Sequence, residues 1–168
     1  MFKGTTMSDK EEFDEKEWHK KTGIKLFNAT WDLIDKKDRT IEENDQMIHS
    51  AHASRYHWGE AVAAGTPKTG PMNLERGDWQ ISRVYSILKR PESAIYHAQR
   101  CIDICEKNNI GDFDIAFAYE AMARAYAIAG NNEADFQKYF SLAKEAGNKI
   151  EKEEDKKYFF SELETIPR

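Results

Sequence analysis

The heptapeptide Ile81-Ser82-Arg83-Val84-Tyr85-Ser86-Ile87 returns downstream as Met122-Ala123-Arg124-Ala125-Tyr126-Ala127-Ile128, and a fainter copy stands upstream at Ala53-Ser54-Arg55-Tyr56-His57. Each copy places an arginine two positions before a tyrosine or histidine, inside a run whose apolar residues recur every three or four positions. That period is helical. A helical unit repeated along a chain buries its apolar face only against its neighbours, so the pattern predicts stacked helices around one continuous core. No stretch reads as a strand.

The chain of 168 residues is long enough for a single domain that buries about 70% of its unfolded surface without staples. A charge of −5 and a pI near 5.6 argue against general nucleic-acid binding, which needs a basic surface. No apolar run approaches the ~18 residues of a membrane span. The opening Met1-Phe2-Lys3-Gly4-Thr5-Thr6-Met7 lacks the apolar core of a signal peptide. The two cysteines, Cys101 and Cys105, cannot cross-link a long loop. A cytoplasmic protein is expected, binding neither nucleic acid nor membrane.

The sequence predicts one helical-repeat domain over residues 1–168, with about seven helices. A first helix covers 8–36, with Ser8 as N-cap and Ile24, Phe27, Trp31 and Ile34 as its apolar face; Gly23 is expected to weaken or bend it. Repeat units occupy 40–150. They open with Thr40 and Glu43 as a capping box, and the segment Gly65-Thr66-Pro67-Lys68-Thr69-Gly70-Pro71 breaks the pattern as a candidate lid. Asn73, Asp112 and Asn132 start later helices, Pro91 fits a first turn, and Gly130 suits the left-handed position after a helix end. A capping helix spans 153–164, where Tyr158, Phe159, Phe160 and Leu163 are expected to close the stack.

Residues 73–150 resemble the tetratricopeptide repeat. Ile81, Ser82 and Tyr85 look like its first-helix leucine, small residue and tyrosine; Ala94, Ala98 and Cys101 look like its second-helix positions. Tyr119, Met122, Ala123, Tyr126 and Gly130, then Phe136, Phe140 and Ala143, form a second such unit. The spacing from Tyr85 to Tyr126 exceeds the family's ~34-residue period, and Lys89 stands where glycine is usual. The resemblance implies an all-α, right-handed stack of antiparallel helix pairs. It also implies a concave groove, lined by first helices, that binds peptides or proteins.

At ~100° per residue, Arg76, Trp79, Arg83 and Ile87 share one helix face, as do Phe113, Phe117, Glu120, Arg124 and Ile128. Arg55 falls among Ile48, Ala51, Trp58 and Val62. A charge on an apolar stripe needs a partner. That partner is either internal, with Glu120 one turn before Arg124 and Asp78, Glu75 and Asp45 for the others, or a ligand. On the ligand reading, Arg55, Arg76, Arg83 and Arg124 outnumber nearby acids, Trp79 and Phe117 supply flat walls, and Glu120 joins them as a ligand-binding residue. The expected partner is then an acidic peptide, a protein C-terminus or a small anion, without a cofactor.

The alternative is a metal-dependent enzyme. Asp45, His49 and His52 share a helix face at spacings that bring two imidazoles to one divalent metal ion. His97, Cys101 and Cys105 form a second stripe, where the cysteines also suit the packing face. The chain carries no Gly-rich phosphate loop and no nucleophile elbow. Exposed aromatics such as Trp18 allow a homodimer. An interaction or ligand-sensing module is the reading these observations favour over an enzyme.

Overall fold

The computed structural model describes residues 13–167. Among them are seven helices and no strand: α1 (Glu15–Asp35), α2 (Ile41–Ala63), α3 (Pro71–Ile87), α4 (Pro91–Asn108), α5 (Asp112–Ala129), α6 (Glu133–Asn148) and α7 (Glu153–Glu164). Short connections make consecutive helices antiparallel neighbours. The most extensive contacts join α1 to α2, α3 to α4, and α5 to α6, and α7 packs on the last pair. No described helix is long and apolar enough to cross a membrane.

Local chemistry sets most boundaries. Thr40 accepts from the Glu43 N–H while the Glu43 carboxylate accepts from the Thr40 N–H, the expected capping box. Asn132 caps α6 through the Asp135 N–H, and Gly130 takes φ +66° after α5. Other starts differ from expectation. Ser8 lies outside the described residues, and Asp14 caps α1 instead. α3 begins at Pro71, with Asn73 inside it accepting from the Gly70 N–H. Asp112 is the first residue of α5, and its carboxylate accepts from the Glu151 N–H.

The core runs along the stack in three clusters. Met47, Ala51, Ile81 and Val84 join α2 to α3. Ala98, Cys101, Ile102, Ala118 and Met122 join α4 to α5. Phe117, Phe136, Ala143, Phe159 and Leu163 join α5 to α6 and α7. Helix α5 is central: Ala116, Ala118, Ala121, Ala123 and Ala125 are all buried, as befits a helix covered on every side. On α7, Phe159 and Leu163 close the stack as expected, whereas Tyr158 stays half-exposed.

Helix α1 turns Phe27, Trp31 and Ile34 of its expected face inward and departs from it at Ile24. Ile24 is exposed, and the buried positions are His19, Gly23 and Thr30. The helix is continuous through Gly23, so the glycine serves close approach: a Cβ there would sit 3.2 Å from the Trp58 ring. His19 packs on His57 with their Nδ1 atoms 2.9 Å apart. Trp18, as expected, is exposed.

Lys89 takes φ +56° after α3, where the Arg90 N–H bonds back to the Tyr85 carbonyl at 2.9 Å. That six-residue closure needs a left-handed residue, which costs an L side chain about 1–2 kcal/mol and glycine little. Lys89→Gly is therefore expected to raise stability by about 0.5–1 kcal/mol, or roughly 1–4 °C in midpoint, read from urea and thermal unfolding.

Candidate ligand cleft and buried ion network

Four buried carboxyl groups, on α3 and α5, decide where the arginines go. Asp78, 1% exposed, accepts from Arg55 Nε at 2.8 Å, His97 Nδ1 at 2.8 Å and Arg100 Nε at 3.1 Å. Burial pushes its pKa up, but the His97 hydrogen bond and the Arg55 and Arg100 charges outweigh this and hold it below the usual range. Asp78 thus ties α2, α3 and α4 together. Arg55 reaches it across Gly77, where a Cβ would come within 2.6 Å of Arg55 Cδ.

Glu120, 1% exposed, does the same between α3, α5 and α7. Its Oε1 accepts from Arg124 Nε at 2.7 Å and lies 3.5 Å from Arg83 Nη1. Arg83 Nη2 pairs with Glu162 of α7. Arg124 Nη2 also donates to the Glu162 carbonyl at 2.9 Å and Thr165 Oγ1 at 2.8 Å, so it caps the C-terminal end of α7. Asp114 takes Arg76 as a fork, Nε to Oδ1 at 2.7 Å and Nη2 to Oδ2 at 3.2 Å.

The expected surplus of guanidinium charge is therefore corrected. Arg55, Arg76, Arg83 and Arg124 each have an internal carboxylate, and two of the four buried carboxylates receive more than one cation. Nor do the four share one hollow. Arg76, Trp79 and Phe117 line a large cleft, Arg83 and Arg124 line a small one, and Arg55 lines neither. Arg55 differs because α2 is the second helix of its pair, whereas α3 and α5 are first helices. Glu120 lines neither hollow and serves as the buried anchor of Arg83 and Arg124.

The large cleft, about 840 Å³, opens between α1, α3, α5 and α7. Aromatic rings pave it: Trp31 and Trp79 stand 5.6 Å apart, Trp79 meets Phe117 edge-on at 5.7 Å, and Phe117 continues to Tyr158 at 5.9 Å. Its rim is Met72 and the Asn109–Asp112 turn, not the Gly65–Pro71 loop expected as a lid. At its floor lies Glu75, the fourth buried carboxyl, 1% exposed. Neither Glu75 carboxyl oxygen has a hydrogen-bond partner among the described residues, and nor has Trp79 Nε1. Burial, reinforced by Asp114, raises the Glu75 pKa well above the carboxylate range, so the empty cleft favours the neutral acid.

The histidine stripe does not converge. Asp45 and His49 are exposed, while His52 turns inward, with Nε2 2.9 Å from the Tyr85 hydroxyl. Among the described residues no group of three or more His, Cys, Asp or Glu is placed to hold a metal ion. His97 is committed to Asp78. Cys101 and Cys105 are free and buried; burial pushes the first thiol well above its usual range and the second up to about 12, so both stay protonated at neutral pH.

Glu75, Asp114, Trp31 and Tyr158 are the cleft residues that reading one helix face at a time left out. A signal was present: Glu75, Asp78 and Ser82 follow one another at helical spacing, and α3 buries all three together with Gln80 and Ser86.

Two outcomes follow. Arg83→Ala leaves Glu120 with Arg124 alone and takes from Glu162 its arginine partner, and is expected to destabilise the fold by about 1–3 kcal/mol in urea unfolding, where a ligand-only arginine would leave stability unchanged. Glu75 has a raised folded-state pKa, so its contribution is fully present below the unfolded carboxylate pKa and is lost as pH rises through the folded value. Glu75→Gln should therefore be more stable than the parent at about pH 8 and should lose that advantage by about pH 4, measured by urea midpoints across the range.

No protein-family model, curated protein or solved structure matches the chain, so its function is read from the cleft itself.

Proposed function

We propose that this chain is a binding module, a tetratricopeptide-like stack that seats a peptide or small molecule in the aromatic cleft. The carrying observation is the coincidence of a preformed 840 Å³ hollow, paved by two tryptophans and Phe117, with buried polar groups at its floor that the protein leaves without partners. Binding sites combine apolar walls with a few convergent polar groups in this way. Buried polar groups without partners cost about 1–3 kcal/mol each, a cost that a ligand can recover. The stack reading is supported by three helix pairs in sequence and by first helices α1, α3, α5 and α7 lining one hollow. Two free, buried thiols fit a cytoplasmic setting.

A second reading retains the anion, at the smaller hollow of about 270 Å³. Arg83, Arg124 and Lys89 line it, and Ser86 Oγ is buried there without a partner. Inorganic phosphate stabilising the parent but not Ser86→Ala would support it.

The main reading is tested by a thermal-shift screen of dipeptides and small aromatic compounds, followed by Trp31→Ala. At about a hundredfold excess over Kd a ligand should raise the midpoint by roughly 5–10 °C, and Trp31→Ala should abolish the rise. Stabilisation that survives that substitution for every hit would remove the cleft as the site.

A further inference from the structure

Of the four buried carboxyl groups on α3 and α5, Asp78, Asp114 and Glu120 hold guanidinium groups and Glu75 holds none. Glu75 lines the cleft and pairs with no cation, the Cys101 thiol of α4 being the one neighbouring donor that lowers its pKa. The charges around the cleft point one way. Glu75, Asp112, Asp114 and Asp155 line it, and among the described residues Arg76 is the one cation that does. Its charge is matched by Asp114, which closes the Nε–Nη2 edge of the guanidinium in a fork and leaves the Nη1 edge free. An entering anion would meet four acidic groups and a single guanidinium that Asp114 already neutralises. An entering cation would meet a buried carboxyl that no cation pairs and the faces of Trp31 and Phe117, while Trp79 already carries Arg83 5.9 Å from its ring centroid. We propose that the cleft binds a protonated amine carried on an aromatic or apolar stem, with its ammonium at Glu75 and its stem between Trp31, Trp79 and Phe117.

This rests on the reading of the cleft as the binding site and adds the class of ligand. A buried ammonium needs a counter-charge, since an isolated one is prohibitively costly to desolvate. Glu75 supplies it by releasing its proton as the ammonium enters, so the net charge inside the cleft is unchanged. Around Glu75 stand Arg76 and Asp78 on its own helix, Cys101 and Cys105 on α4 and Asp114 on α5, with Asp155 on α7 lining the same cleft. Arg55, Arg100 and His97 are engaged by Asp78, and α1 contributes the rings of Phe27 and Trp31. No neighbouring cation is therefore left to neutralise Glu75, and only the ligand can. Affinity for the amine should rise with pH until Glu75 is ionised in the free protein.

Calorimetry on the full chain with three probes of one shape tests this: phenethylamine, 2-phenylethanol and 3-phenylpropionate. The amine is expected to bind at least about tenfold more tightly than the alcohol, and the acid not at all. Titrations in two buffers of different ionisation enthalpy should show net proton release on binding the amine and none on binding the alcohol. Glu75→Gln should weaken the amine about tenfold or more and leave the alcohol unchanged. A capped peptide with a single lysine, run beside phenethylamine, separates a side-chain ammonium from a free amine as the source. Equal binding of amine and alcohol, binding of the acid, or undiminished amine binding by Glu75→Gln overturns the charge assignment. If in those cases Trp31→Ala still abolishes binding, the cleft stands as a site for another ligand; if it does not, both readings fall.

Discussion

Asp78 and Glu120 are carboxylates that water barely reaches, and each draws guanidinium groups from neighbouring helices. An isolated buried charge would cost several kcal/mol, so neither can exist unless the helices that bring its partners are in place. Asp78 requires α2 and α4; Glu120 requires α3, with α7 held by Arg83 and Arg124. Buried pairs of this kind add little net stability over apolar packing, but breaking one is expensive. Their effect is on arrangement. The alanine-rich surfaces of α5 would pack at several rotations and offsets, whereas a fork-shaped donor reaching a single carboxylate fits one.

The cleft is a consequence of that arrangement. Once α3, α5 and α7 are pinned through Glu120, the rings of Trp79, Phe117 and Tyr158 face the same hollow, and α1 adds Trp31 from the far side. Arg76 and Asp114 close one flank with a fork of their own. Glu75 is the exception within the network, chemically the same kind of group as its neighbours and equally buried, yet without a cation. A scaffold position would tolerate glutamine or an apolar residue at lower cost. A carboxyl that destabilises the empty protein is the pattern of a group whose partner arrives from outside.

Much of this was legible along the chain. All seven helices, the capping box at Thr40 and the turn at Gly130 follow from the sequence. The i to i+4 pair of Glu120 and Arg124 does too, because it lies within one helix. The identification of Trp79, Phe117 and Arg76 as groove residues came from helical faces alone, and the three do line one cleft. The expectation failed where a face had two neighbours to choose between. Arg83 shares a face with Arg76 but is drawn into the Glu120 network, and Arg55 belongs to the second helix of its pair. His52 turned toward Tyr85, away from His49, because the α2–α3 contact fixed its orientation.

Sequence by itself determined the helices, their ends and the supply of guanidinium and carboxyl groups, since periodicity and capping act within a turn or two of the chain. Tertiary structure alone decided which acid meets which base. Those pairs join residues 23, 38 and 79 positions apart, and their meeting depends on how each helix is rotated about its axis and where it crosses its neighbours. A local pattern leaves both free. That same freedom is why Asp78 and Glu75, one turn apart on a single helix, end as a saturated anchor and an unsatisfied acid beneath an open cleft.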